Sequence, residues 1–235
     1  MTTKLSFRFQ MMAASCGLLF DIFYGGSWAV LAHNLPPASA SLSAVGIADF
    51  YRQHHDAILA GNALACLFGA MWMPWTAQLT LTLRRIEGPN PVLTVVQAIG
   101  GGITSWAFIF CPAIWAAAAY RPDADPMITR AMNDVGFFLF NLTYSATSLQ
   151  AIAAGIVGLT DKSEAPVFPR WVSWWAIGTG LTFVPISLMP FSTTGPFAWD
   201  GLVTFWIGFA AFFGWAASMG GSMIKDTRRR MQATR

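Results

Sequence analysis

Residues 9–32 read FQMMAASCGLLFDIFYGGSWAVLA, twenty-four positions with one charged side chain, Asp21. About 20 apolar helical residues cross the hydrocarbon core of a bilayer, so this stretch is long enough to span it. Five more follow, near 57–83, 91–119, 131–158, 171–191 and 201–224. Composition agrees: 55% of the 235 residues are hydrophobic and 11% are charged, where a soluble domain carries about a quarter charged. The expected fold class is all-α, a polytopic membrane protein whose residues 1–235 form one bundle of six transmembrane helices. The first apolar run is too long for a removable signal peptide and has no small-residue cleavage site after a short core.

Charges outside the spans set the orientation. Lys4, Arg8, "LRRIEG", "TDKSEAPVFPR" and the tail "KDTRRRMQATR" alternate with connections that hold only Arg52, Arg121 and Arg130. Eleven of the 14 Lys and Arg therefore fall on one side, and the positive-inside rule puts that side, with both termini, in the cytoplasm. The net charge of +3 is thus a matter of topology and does not point to nucleic acid.

Local signals refine the helices. Asp125 before Pro126 forms an N-cap with proline at the first helical position, so the fourth helix starts ahead of its span. Ser43 caps a helix in which Ile47, Tyr51, His54 and Ile58 recur at helical spacing, as expected for an interfacial helix before span 2. Pro74, Pro112 and Pro185 fall inside spans and are expected to kink them, and Gly100–Gly102 reads as a flexible point. Cys16, Cys66 and Cys111 sit in apolar runs without a CxxC, as free thiols do.

Asp21 shares a helical face with Gly17 and Gly25, with Ala14 and Trp28 at its ends, and the small residues let another helix approach closely. Its charge also requires it to face protein and not lipid. Asp21 lies roughly 18 Å in from one membrane face and Asn141 roughly 15 Å in from the other, at 1.5 Å per residue. Span 4 carries a polar stripe at Asn141, Tyr144, Ser145 and Ser148. The two stripes are expected to meet, with Asn62 lining the approach and Asp21 serving as acid or base. The competing reading makes Asp21 a hydrogen-bonding link between helices and leaves the span 4 hydroxyls on their own backbone.

His33, His54 and His55 all fall on the side opposite the basic loops, near Asp49 and Asp56. Histidine with carboxylate is a ligand set for a divalent cation, but adjacent histidines diverge on a helix and no HExxH supports them. A metal site is therefore not favoured. Acids at helix N-termini also complement the dipole. Retinal is unlikely without a midspan lysine, transmembrane haem without a histidine inside a span, and nucleotide without a phosphate-binding loop. The NLT at 141–143 lies within a span and is no glycan acceptor.

The segments "YRPDADPMITRAMNDVGFFLFN", "VFPRWVSWW" and "MPFSTTGPFAWDGLVTFWIGF" resemble a group of bacterial multi-pass membrane proteins that carry no assigned activity. The resemblance covers roughly the C-terminal half. It implies a multi-pass topology in a bacterial inner membrane and transfers no site. Three functions fit the sequence. In the first, the bundle binds or transforms a lipophilic small molecule, with Asp21, Asn62, Asn141, Tyr144 and Ser148 around it. In the second, the chain is a non-catalytic subunit or assembly factor that joins other membrane subunits. In the third, it carries a small solute or cation.

Overall fold

A computed structural model describes residues 3–233, and every regular element in it is helical. Six segments are long and apolar enough to cross a membrane: Ser6–Leu31, His55–Glu87, Val92–Ala119, Pro126–Thr160, Arg170–Phe191 and Leu202–Ala233. They are spans 1 to 6 below. One cluster of buried side chains draws on all six, from Phe20 and Trp72 through Phe108, Ala151 and Ala176 to Trp215.

Only span 3 is one unbroken α-helix. Span 1 is α1 (Thr3–Tyr24) followed by a π-helical segment, Gly25–Leu31. Here the Ser27 hydroxyl bonds back to the Phe23 carbonyl, and Ala32 N–H reaches the Ser27 carbonyl at 2.9 Å. The short helix α2 (Ala44–Gln53) begins with the Ser43 hydroxyl accepting from Gly46 N–H, as its sequence indicates. Span 2 is α3 (His55–Gly69) and α4 (Trp72–Glu87). The break at Ala70 has a cause four residues on, because Pro74 cannot donate to the Ala70 carbonyl and its ring crowds it.

Span 3 is α5 (Val92–Ala119), which runs through Pro112. The Cys66 thiol donates to the Ile109 carbonyl at 3.2 Å, and Gly69 packs against the Phe108 carbonyl so closely that a Cβ there would collide with it. Neighbouring α3 thus closes over the carbonyls next to the proline. The glycine triplet is no flexible point, since all three residues are helical. A Cβ at Gly100 would lie 2.6 Å from the Ala146 carbonyl oxygen, and one at Gly101 would collide with Thr76. These glycines let span 3 touch spans 2 and 4.

Span 4 is α6 (Pro126–Leu142), capped by Asp125 as expected, and α7 (Tyr144–Thr160). Its break at Thr143 follows from side chains that compete for the helix's own carbonyls. Asn141 donates to the Phe137 carbonyl, and the Thr143 hydroxyl bonds with the Leu139 and Phe140 carbonyls. Span 5 is α8 (Arg170–Thr182) followed by a 3₁₀ segment, Val184–Phe191, with Pro185 as its second residue. Span 6 is a π-helical segment, Leu202–Ile207, leading into α9 (Gly208–Ala233).

Candidate functional site

Four of these five irregular stretches face one cavity. Trp28 enters it from the π-helical part of span 1, Asn141, Thr143 and Tyr144 from the break in span 4, Phe183 and Ile186 from span 5, and Thr204, Phe205 and Gly208 from span 6. The fifth, in span 2, leads into Trp72, whose ring packs on Phe108 and Phe212 of the cavity wall. Irregular backbone at membrane depth is tolerated where protein or a cavity surrounds it, and π-helical turns recur at functional sites.

The cavity is narrow, with about 90 Å³ open to the centre of a water-sized sphere, inside about 670 Å³ of empty space that includes its open mouth. Its wall is largely aromatic, with Trp28 stacked on Phe140 and Phe209 at 5.1 and 5.6 Å between ring centroids. The polar groups of the wall are mostly satisfied within it. Thr104 and Thr147 hydroxyls bond to each other at 2.9 Å, Thr204 donates to the Phe197 carbonyl, and Asn141 and Thr143 bond back as above. One buried donor is not: Trp28 is 1% exposed, and its Nε1–H meets no acceptor among the described residues.

The end of the cavity nearest the histidines is roofed. Trp199 stacks on Phe137, its Nε1–H bonds to the Ala38 carbonyl at 2.8 Å, and Asp200 accepts from Ala40 N–H. The half-buried wall residues are Phe140, Asn141, Thr143, Tyr144 and Phe209. They put the mouth between spans 4 and 6, whose outer surfaces nearby expose Leu139, Leu142, Trp206 and Ile207. The cavity therefore opens sideways, onto the apolar flank of the bundle.

The structure separates the two stripes that the sequence led us to pair. Asn141 and Tyr144 line the cavity, but Asp21 does not. The Gly17–Asp21–Gly25 face meets α4 and α9: a Cβ on Gly17 would strike the Trp75 ring, and one on Gly25 would lie 3.4 Å from Phe213. Close approach at the glycines is correct, and the partner helix is different. Asp21 Oδ1 is buried without a hydrogen-bond partner among the described residues. The side chain of span 1 that does meet span 4 is Trp28.

Asn62 is also displaced from the expected approach. It is buried beside the π-helical segment of span 1, where neighbouring Gly61 packs against Ala32, and it donates to its own helix at the Ile58 carbonyl. Ser148 is buried outside the cavity wall, and Thr147, its neighbour, takes the wall position. Thr104, Thr147 and Phe205 went unrecognised in the sequence, which places Trp28 only at the end of the Asp21 face. The available signal was the density of back-bonding residues in "GGSW" and "NLTYSAT", which marks helix breaks.

The histidines do not converge on a metal position. The rings of His33 and His54 stack at 4.0 Å with planes 26° apart. Lone pairs lie in the ring planes, so stacked imidazoles direct them along nearly parallel planes and not at one point. His55 pairs with Asp56 at 2.8 Å. Among the described residues no group of three His, Cys, Asp or Glu could hold a metal. No protein-family model, curated protein or solved structure matches the chain.

Proposed function

We propose that this multi-pass membrane protein binds a neutral, lipophilic small molecule that enters the cavity from the lipid. One observation supports this reading above the others: a largely aromatic cavity, its polar groups mostly bonded within the protein, opens onto the apolar flank of the bundle. The wall contains one titratable side chain, Tyr144. That favours binding over acid–base transformation, with Asp21 in a structural role. By the positive-inside rule the Arg84–Arg85 end is cytoplasmic, which puts both termini there and α2 at the opposite interface. The resemblance drawn from the sequence favours a bacterial inner membrane.

The test is native mass spectrometry of gently extracted protein. Wild type and Asp21→Asn are expected to retain a stoichiometric apolar molecule, and Gly208→Leu, which fills the cavity, to lose it while staying folded. A bare wild-type chain, or a Gly208→Leu variant that keeps the molecule, overturns the proposal. The convergence of helix breaks favours a second reading, passage of a small neutral solute, because transporters place discontinuous helices at their binding sites. Flux into proteoliposomes separates the two.

A further inference from the structure

At the basic end of the bundle, spans 1, 2 and 6 enclose an open groove lined by Gln10, Gln78, Leu81, Arg84, Arg85 and Arg230. Three guanidinium groups and no carboxylate line it. Two of the three are held from behind. Asp226, with 9% of its side chain exposed, accepts from Arg85 at 2.8 Å and from Arg230 at 2.9 Å, and Arg229 lies 3.8 Å from it. Arg230 also donates to Gln10 Oε1 at 2.9 Å. Asp226 orients these arginines, Asp161 also acts on Arg85 from the side away from the groove, and exposed Arg84 extends the charge.

We propose that this groove binds the phosphate of an anionic phospholipid headgroup. Guanidinium presents a planar fork of donors that matches phosphate oxygens, and here two forks are positioned in advance. The groove lies where span 2 ends, at headgroup depth. One turn back towards the membrane, Leu81 is 55% exposed, which gives an acyl chain an apolar surface continuous with the polar contact. A free phosphate has no use for that surface, so the lipid is the better fit. The site is separate from the cavity and does not depend on its ligand.

The experiment compares retention of phosphatidylglycerol and phosphatidylcholine by delipidated, full-length protein, read by native mass spectrometry. Wild type is expected to prefer phosphatidylglycerol. Arg84→Gln is expected to lower that retention about fivefold, the weight of one basic residue near a membrane surface. It makes none of the contacts to Asp226, so the bundle keeps its fold. Lys225→Gln, an exposed charge at the same end outside the groove, is expected to leave retention within twofold. Equal retention of the two lipids overturns the proposal. So does a Lys225→Gln loss equal to that of Arg84→Gln, which would indicate a diffuse surface charge. Displacement of the lipid by millimolar inorganic phosphate also overturns it, in favour of a free-anion site.

Discussion

Trp199 and Phe137 stack with their ring planes 6° apart and their centroids 5.0 Å apart, so that a loop residue and the middle of span 4 together close one end of the cavity. The Trp199 indole is anchored again through Nε1–H to Ala38. Trp199→Phe keeps the stack and removes the hydrogen bond. It should lower stability by about 1 kcal/mol, visible as a reduced unfolding temperature in detergent, and should admit a polar quencher to the fluorescence of Trp28. Unchanged quenching would mean that the roof is not sealed by this contact.

Two glycines of span 2 and span 3 should respond oppositely to alanine. At Gly69 the new methyl meets the Phe108 carbonyl, and overpacking of this kind costs about 1–3 kcal/mol. At Gly102 nothing lies within 4 Å, so alanine should be neutral or stabilise by up to about 1 kcal/mol through helix propensity. Thermal unfolding of the pair checks the close packing of spans 2 and 3, and equal behaviour would contradict it.

Asp226→Asn removes the charge that Arg85 and Arg230 share. Hydrogen bonds to charged groups contribute about 1.5–3 kcal/mol, but these arginines are 41% and 28% exposed, and screening reduces the gain. A loss of about 2 kcal/mol is expected, smaller in high salt. Chemical denaturation at two ionic strengths measures it, and a loss independent of salt would argue for packing alone.

The stacked histidines make the far end sensitive to pH. Partial burial and the neighbouring His33 ring lower the basicity of His54, and the edge of Phe50 also faces it. A base whose folded pKa is lowered stabilises the fold in its neutral form. That contribution is complete above the ordinary imidazole value of about 6.5 and is lost as pH falls through the lower folded value. An NMR titration should find His54 protonating below pH 6.5, about the ordinary imidazole value, and moving back up in His33→Asn. A His54 that titrates at the ordinary value in both would remove the argument.

Local chemistry was legible in the chain, and long-range phase was not. Ser43 and Asp125 cap helices because a cap needs only the next two or three residues. The six spans follow from runs of apolar residues. Asp21 does not meet Asn141 because a face read from helical spacing does not say which helix it packs against. The π-helical turn after Tyr24 also changes the angular step, so that Trp28 continues the Phe20–Tyr24 stack into the cavity while the glycines on either side of Asp21 stay against α4 and α9. Pro74 was legible as a disruption and breaks its helix at Ala70, whereas Pro112 does not interrupt α5. The difference lies in neighbouring α3, whose Cys66 thiol and Gly69 reach the carbonyls beside Pro112, and no one-dimensional pattern carries that information.

The indoles of Trp72 and Trp75 lie 4.3 Å apart, with Trp215 at 5.7 and 5.5 Å from them. Chromophores held this close in fixed, inclined orientations couple their electronic transitions. The junction of spans 2 and 6 therefore carries its own optical signature, a near-ultraviolet circular dichroism that depends on the rings keeping their mutual angles. Loosening of that junction would erase the signal while the far-ultraviolet helix spectrum persisted, which lets packing be followed apart from secondary structure without any added label.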